Sequence, residues 1–449
     1  MKRYRIAAIG FIILMGSLVG SRSYGAEYDY IDITNPFLRK SPIAIPLFKA
    51  SVEDPATVSL SRLASDLLSS TLSFTGYFRI VEPDEPLPEK DTGDIVASAI
   101  DFGYWTKTGA ELLITGGLVV TAGVVEIELR LYDTFKETLV VGKRYKGSVN
   151  DYRQIIRRFC SEVTYQMVGS RGFFDSKIAF LSTGSGHKEI YISEFDGFNI
   201  VQNTHDQTIT LSPSWSSDGK WLAYTSFSKG KADLYIRHLS EKRGAVLNKE
   251  GINISPSWVP GRFSLGATLS FSGDQEIYLL TGTGKIIKRL THSRGIDVSP
   301  SFSPDGQKMA FVSRRAGTPQ IHIKDLATGQ IRRLTFEGRY NTQPSWSPKG
   351  DKVAYSSLAG GKSNIYVIGI DGTGMMQLTQ DEGDNESPSW SPDGSLLVFS
   401  STRQGPSRIY MMNAFGTDQR RLLALPGEQF EPRWSPNLIH NPESMMRTE

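Results

Sequence analysis

A Pro-x-aromatic segment recurs six times in the second half of the chain and is the feature that most limits how the chain can fold. The prolines of the six copies are Pro213, Pro256, Pro300, Pro344, Pro388 and Pro432. The intervals between them are 43, 44, 44, 44 and 44 residues. Several copies continue into an Asp-Gly or Lys-Gly turn and then into an apolar run of β-forming residues. A constant period of this length indicates stacked copies of one supersecondary unit.

A second series of positions shows what each unit contains. An aromatic or histidine residue recurs with the same period in a later β-like run, at Tyr191, Tyr235, Tyr278, His322, Tyr366 and Tyr410. Each unit holds four short β-like runs separated by turn residues and leaves no room for a helix. Four strands in such a unit are typical of a β-propeller blade. Residues 173–437 therefore predict a six-bladed β-propeller.

The two series are out of phase, and this predicts how the ring closes. The first unit has its Tyr strand but no Pro-x-aromatic strand, whereas the last Pro-x-aromatic segment has no unit after it. We expect the strand around Arg433 to complete the sheet that residues 177–181 begin. Trp434 should then be buried where the two ends of the propeller meet, because closure protects the sheet edges.

Residues 26–172 predict a smaller α/β domain. Apolar positions at helical spacing indicate one helix that begins at Pro55, behind an Asp54 cap, and another over residues 151–168. Strands are expected at 42–48, 77–81, 111–120, 124–132 and 138–146. Cys160, the single cysteine, excludes an internal disulfide and is expected to be a buried thiol. The expected fold class is multidomain, α/β plus all-β: a small N-terminal α/β domain followed by a six-bladed β-propeller closed by the C-terminal strand.

The first 25 residues are typical of a cleaved export signal. Residues 1–5 are basic, residues 6–20 are apolar, and small residues at Ser23 and Gly25 favour cleavage before Ala26. An uncleaved anchor is the alternative, but the apolar run is short for a hydrocarbon core of roughly 30 Å. We therefore expect an exported, soluble protein without membrane insertion, periplasmic in a Gram-negative cell. Residues 438–449 are expected to form a polar tail.

Charge and motif content argue against several classes of function. Of 50 basic residues, four lie in the first 25 positions, so 46 basic residues face 47 acidic ones in the remainder. This near-neutral balance gives no electrostatic footprint for nucleic acid. No nucleophile elbow or His-Glu-x-x-His pattern occurs, and no cofactor or metal is expected. The competing class is an exported propeller hydrolase with its site in the central channel, for which Asp297 and Glu386 are the acidic candidates.

A ring of polar residues is the first candidate functional site. The side chain three residues before the repeat proline is polar in all six copies: Thr210, Asn253, Asp297, Asn341, Asn385 and Gln429. Glu386 follows one of them. Because these residues precede the inner strands, we expect them to crowd one mouth of the central channel and to form a partner-binding surface. Turn capping is the alternative explanation.

A second candidate surface lies near the N-terminus of the expected mature chain. Apolar side chains alternate in part with acidic ones between Glu27 and Thr34, at Tyr28, Tyr30, Ile31 and Ile33. An extended arm of this kind could add a strand to the sheet edge of another protein. It could equally fold back on its own protein, or form an edge strand of the α/β domain.

Taken together, these features resemble the TolB family of periplasmic propeller proteins in the Tol-Pal system. The resemblance rests on the signal segment, residues 30–34 and 43–48, residues 131–134, the junction at 172–180, the Ser-Pro-Asp-Gly turns and the terminal segment 432–438. It implies a non-enzymatic scaffold that binds the peptidoglycan-associated lipoprotein Pal at the channel mouth. It also implies that the N-terminal arm binds the inner-membrane protein TolA, and that the system maintains outer-membrane integrity and aids constriction at division. One blade has Val259-Pro-Gly261 in place of the usual turn, so individual Pal contacts do not transfer.

Overall fold

The computed structural model describes residues 39–52, 54–82, 95–380 and 383–438. The described residues from Lys40 onward belong to one compact unit. The expected signal segment, and the tail beyond Leu438, lie outside the described residues. In the described part of the chain, no helix has both the length and the apolar character needed to cross a membrane.

A mixed sheet flanked by helices forms the α/β domain. Its strands are β1 (Ser41–Ala44), β2 (Lys49–Ala50), β3 (Phe78–Val81), β4 (Leu112–Thr121), β5 (Val124–Asp133) and β6 (Thr138–Ser148). Its helices are α1 (Pro55–Phe74), α2 (Phe102–Lys107) and α3 (Tyr152–Val168). The strand order is β3-β1-β4-β5-β6, and β2 also pairs with β4. Strand β1 runs parallel to β3 and β4, whereas β4, β5 and β6 are antiparallel.

Local sequence signals explain the two long helices. The Asp54 carboxylate accepts hydrogen bonds from the backbone N–H groups of Ala56 and Thr57, each at 3.0 Å, so α1 begins with a satisfied cap. Helix α3 ends at Gly169, whose φ of 73° suits glycine. Both helices bury an apolar stripe against the sheet, and Cys160 is fully buried within that of α3. The expectation of a buried thiol is confirmed.

Two details of the α/β domain differ from the sequence prediction. The strand predicted over residues 42–48 is too long: β1 ends at Ala44, residues 45–48 form no strand, and β2 begins at Lys49. Pro46 lies between the two strands, and it has no N–H group to donate to a sheet ladder. Helix α2 was not predicted at all. It is only six residues long, which is too short for helical periodicity to reveal it.

Six blades follow, each a four-stranded antiparallel sheet. Blade 1 contains β7 (Lys177–Ser182), β8 (Glu189–Glu194) and β9 (Val201–Gln202), together with the last strand of the chain. Blade 2 contains β10 (Thr210–Trp215), β11 (Trp221–Ser226), β12 (Asp233–His238) and β13 (Gly244–Leu247). Blade 3 contains β14 (Asn253–Trp258), β15 (Ser264–Leu269), β16 (Glu276–Thr281) and β17 (Ile286–Arg289).

The remaining blades repeat this pattern. Blade 4 contains β18 (Asp297–Phe302), β19 (Lys308–Ser313), β20 (Gln320–Asp325) and β21 (Ile331–Arg333). Blade 5 contains β22 (Tyr340–Trp346), β23 (Lys352–Ala359), β24 (Lys362–Gly369) and β25 (Met376–Gln377). Blade 6 contains β26 (Asn385–Trp390), β27 (Leu396–Ser401), β28 (Arg408–Asn413) and β29 (Arg420–Arg421). The predicted fold class, an α/β domain followed by a six-bladed propeller, is confirmed.

The last strand, β30 (Gln429–Trp434), closes the ring as the sequence predicts. It pairs antiparallel with β7, with Gln429 opposite Ser182 and Trp434 opposite Ile178. Trp434 is 7% exposed, and its indole Nε1 donates a hydrogen bond to the Ser176 hydroxyl at 2.6 Å. The two ends of the propeller are therefore held in one sheet.

Candidate functional site

The innermost strand of every blade carries a β-bulge at its repeat proline. In blade 2, Leu211 pairs with Thr225 and Ser214 pairs with Ala223, so three steps along β10 match two along β11. The same shift occurs in the other five blades. The residue before each proline has a left-handed backbone, with φ values of 53° at Ser212, 52° at Ser255, 54° at Ser299, 52° at Gln343, 57° at Ser387 and 45° at Glu431.

The bulge determines which side chains face the central channel. In five of the six blades, the residues directly before and directly after the repeat proline line a cavity of 280 Å³, among them Ser212, Ser214, Glu431 and Arg433. A bulge inserts one residue and so changes the alternation of faces along the strand. The side chain three residues before the proline consequently does not follow its neighbours into the channel.

The structure places the six polar residues of the predicted ring inside the fold. Thr210, Asn253, Asp297, Asn341, Asn385 and Gln429 all have no exposed surface. The expectation that their side chains lie on the surface of the channel mouth is wrong, and the bulge is the physical reason. Glu386, the additional acidic candidate, is exposed and accepts a hydrogen bond from the Ser363 hydroxyl at 3.0 Å.

Hydrogen bonds show what the buried ring does. The Asn253 amide Nδ2 donates to the Lys249 carbonyl at 2.8 Å, and that of Asn341 donates to the Glu337 carbonyl at 2.6 Å. Gln429 Nε2 donates to the Gly427 carbonyl at 2.8 Å, and Thr210 Oγ1 donates to the Lys188 carbonyl at 2.8 Å. These side chains fasten loops at the mouth, which is the capping role that the sequence left open as the alternative.

Two members of the buried ring are held by arginines. Arg315 Nη2 donates to the Asp297 carboxylate at 2.7 Å, and Arg403 Nη2 donates to the Asn385 carbonyl oxygen at 2.9 Å. Burial raises the pKa of Asp297, whereas the Ser313 hydrogen bond and the Arg315 charge act in the opposite direction. A buried carboxylate committed to an arginine is poorly placed to act as an acid or base on a channel substrate.

The exposed ring at the mouth lies one residue earlier in each copy. The side chains four residues before the repeat proline are Ile209, Ile252, Ile296, Tyr340, Asp384 and Glu428. Ile209 is 49% exposed and Tyr340 is 46% exposed; Ile252, Asp384 and Glu428 are also exposed, whereas Ile296 is half-buried. Sequence reasoning missed this ring, although Ile252 and Ile296 each directly follow a loop glycine.

The mouth therefore has an apolar side and an acidic side. Blades 2 to 5 each contribute an apolar residue to the exposed ring, and the acidic residues come from blade 6 and from the loop that enters blade 1. Phe336, in the loop that enters blade 5, adds an aromatic ring that is 72% exposed, with the Arg333 guanidinium 4.8 Å from its centroid. Exposed apolar groups bordered by charge are typical of protein interaction sites.

The structure gives no support for the two other candidate sites, the N-terminal arm and a metal site. The arm residues Tyr28, Tyr30, Ile31 and Ile33 lie outside the part of the chain that the structure describes. Within that part, no group of three or more His, Cys, Asp or Glu side chains is arranged to hold a metal ion.

Comparison with known proteins agrees with this architecture. The family model described as the TolB beta propeller domain matches residues 165–438, and the one described as the TolB amino-terminal domain matches residues 29–140. The solved structure of TolB from Acinetobacter baumannii is 26% identical, with a TM-score of 0.78, and the match covers 89% of this chain and 97% of that one.

Curated relatives give the same result over part of the chain. A Tol-Pal system protein TolB from Desulfosudis oleivorans is 58% identical over 268 residues, 60% of this chain and 61% of that protein. A TolB homologue from Chlorobium luteolum is 43% identical over 252 residues, 56% of this chain and 57% of that protein. The chain thus spans about three fifths of the length of the curated relatives it matches. With the propeller model matching more than half of its residues, the chain belongs to the TolB family.

Proposed function

We propose that the protein is a non-enzymatic periplasmic scaffold of the Tol-Pal system that docks the lipoprotein Pal on the mouth of its propeller channel. The observation that carries this proposal is the exposed ring, in which blades 2, 3 and 5 present exposed apolar side chains, blade 4 adds the half-buried Ile296, and the other two blades present acids. Exposed apolar side chains bordered by acidic ones suit a folded protein partner, whose interface combines an apolar centre with a polar rim.

The buried polar ring supports docking indirectly in this proposal. Thr210, Asn253, Asp297, Asn341, Asn385 and Gln429 fix the loops that carry the exposed residues, and Glu386 contacts the partner directly. Preorganised loops lower the entropic cost of binding, because fewer groups must be ordered on association. Loss of one buried side chain should therefore weaken docking through loop mobility and should also lower stability.

The second part of the proposal concerns TolA. The N-terminal arm, with Tyr28, Tyr30, Ile31 and Ile33, binds TolA by adding an extended strand to its sheet. The two partners then occupy separate surfaces, and the protein links an outer-membrane lipoprotein to an inner-membrane protein. In this role it maintains outer-membrane integrity and aids constriction at cell division.

The experiment measures binding of purified soluble Pal and of the periplasmic part of TolA. A variant with Ile252→Ala, Phe336→Ala and Tyr340→Ala should bind Pal at least roughly tenfold more weakly and should bind TolA normally, because large exposed anchors dominate interface energy. Ile287→Ala is the matched control, since Ile287 is also exposed but lies on the outer strand β17. A deletion of residues 26–34 should show the reverse pattern. Loss of both partners in a folded variant, or unchanged Pal binding in the triple variant, would overturn the proposal.

A further inference from the structure

Inside the channel, blade 1 differs from the other five blades. The residue after the repeat proline is Ser214, Ser257, Ser301, Ser345 or Ser389 in five blades, and Arg433 in blade 1. Four of these serines line the channel cavity together with Arg433. A single guanidinium group therefore interrupts a ring of hydroxyl groups.

The Arg433 guanidinium is poorly satisfied by the protein. Among the described residues, its hydrogen-bond acceptor is the carbonyl oxygen of Pro432, 3.2 Å from Nη1. A guanidinium carries five N–H donors, so most of them have no acceptor among the described residues, and the side chain lines the channel cavity. Burial lowers the pKa of Arg433, and the negative charge of Glu431 acts against this. The charge is thus held in a site where an anion would stabilise it.

The carboxylate of Glu431, the nearest acidic residue along the strand, is bound to a neighbouring blade. Glu431 Oε2 accepts a hydrogen bond from the backbone N–H of Ser212 in the next blade, at 2.7 Å. Gln343 Oε1 accepts the equivalent bond from the Ser387 N–H at 2.9 Å, so an uncharged side chain can do the same in another blade. Glu431 therefore bridges blades 1 and 2 and leaves the Arg433 guanidinium without a bound carboxylate.

The serine hydroxyls are also arranged as donors. The Ser214 hydroxyl oxygen accepts from the Trp258 N–H at 3.3 Å, and those of Ser301 and Ser389 accept from the N–H groups of Trp346 and Trp434, both at 3.0 Å. A hydroxyl that accepts a backbone N–H keeps its own proton to donate. Ser214 and Ser301 can direct that proton into the cavity that they line.

We propose that the channel binds a single carboxylate group at the level of Arg433, with the guanidinium and the surrounding serine hydroxyls as donors. The planar guanidinium matches a carboxylate in a bidentate geometry. Glu431 lines the same cavity and its charge acts on Arg433, so it disfavours a dianion such as phosphate. The carboxylate comes either from a free small acid or from an Asp or Glu side chain of a peptide that enters the channel.

The test titrates the full mature chain with two kinds of probe at constant ionic strength. Trifluoroacetate, followed by fluorine NMR line broadening, reports a free carboxylate. A capped pentapeptide with one central Asp, compared with its Asn counterpart, reports a peptide side chain. The key variant is Arg433→Ser, because five blades already carry serine at this position. Arg262→Ser, in an exposed turn, is the matched control.

We expect saturable binding of at least one probe by the wild type, and roughly tenfold weaker binding by Arg433→Ser, since charge-assisted hydrogen bonds to the anion are lost. Glu431→Gln should bind more tightly, and Arg262→Ser should match the wild type. Saturation by trifluoroacetate identifies a free acid as ligand, and Arg433-dependent binding of the Asp peptide alone identifies a side chain. Absence of binding by both probes, or equal binding by folded Arg433→Ser, would refute the site. Neither result bears on the docking of Pal at the mouth.

Discussion

At the scale of single residues, equivalent positions in different blades can be compared with one another, because the blades repeat the same fold. Asp297 in blade 4 and Asn385 in blade 6 occupy the same register, are equally buried and accept hydrogen bonds from Arg315 and Arg403 respectively. Asp297 is ionisable and lies near Glu276, whereas the Asn385 amide donates a hydrogen bond to Asn364, the residue equivalent to Glu276. Comparison of these blades therefore shows the effect of a buried carboxylate together with that of its acidic neighbour.

Asp297→Asn should therefore change the pH dependence of stability. Burial raises the pKa of Asp297, so the folded state binds more protons than the unfolded state between the ordinary Asp pKa, 3.8, and the raised one. Stability from this group is present at low pH and is lost as pH rises through that window. Asp297→Asn cannot lose stability in this way, so its free energy of unfolding relative to that of the wild type should increase as pH rises.

Urea denaturation over a pH series measures this difference, and Asn385→Asp should show the opposite trend. Parallel pH profiles for wild type and Asp297→Asn would contradict the argument.

Trp434 differs from the other repeat tryptophans by its link to the start of the propeller. Its ring lies edge-on to Phe173 at 5.4 Å, and its indole N–H reaches Ser176. Trp434→Ala should lower the free energy of unfolding by about 3–5 kcal/mol, as for other buried aromatic residues.

Trp258 is the control. It is 5% exposed in blade 3 and has no hydrogen-bond acceptor for its Nε1 among the described residues. Trp258→Ala should cost about 1 kcal/mol less. Urea denaturation compares the two, and a larger loss for Trp258→Ala would count against the proposed importance of ring closure.

At the scale of elements, the sequence pattern predicts the strands of each blade but not the bulge in the innermost strand. Periodicity and turn residues were sufficient to identify four strands per blade and the pairing of β30 with β7. They could not reveal the inserted residue beside each proline, because a bulge changes the face of a side chain without changing the composition of the strand. The sequence pattern therefore predicts the buried ring at the mouth and does not predict the exposed ring, to which Ile209, Ile252 and Tyr340 belong.

The role of β30 can be tested by truncation. A chain that ends at Glu431 loses the pairing of Trp434 with Ile178 and both hydrogen bonds between Lys177 and Ser435, each 2.8 Å long. We expect it to lose cooperative unfolding or to accumulate in insoluble form, because β7 becomes an unprotected edge. A chain that ends at Leu438 keeps these contacts and should unfold as the full chain does. Circular dichroism during thermal unfolding distinguishes the two, and equal midpoints would show that closure is dispensable.

At the scale of the whole molecule, the α/β domain and the propeller share one core. The apolar cluster that contains Leu68 and Ile156 continues through Phe173 and Phe195 to Trp434. Beside it, Arg153 and Arg157 of α3 form ion pairs with Glu194 and Asp196 of blade 1. The Arg157 guanidinium also lies 5.0 Å from the centroid of the Phe195 ring. Such a junction should make the two parts unfold together.

Arg157→Met tests this coupling, since methionine keeps most of the side-chain volume while removing the charge. The Arg157 side chain is 11% exposed, and loss of its guanidinium leaves Glu194 and Asp196 only partly paired. Breaking a largely buried ion pair is strongly destabilising, and we expect a loss of about 2–3 kcal/mol. Calorimetry should resolve two transitions, with the α/β domain unfolding at the lower temperature.

Arg171→Met is the control. Arg171 is 62% exposed in its pair with Glu162, so this substitution should change the free energy of unfolding by about 1 kcal/mol or less. A single transition for Arg157→Met, at the temperature of Arg171→Met, would show that the apolar cluster alone couples the domains.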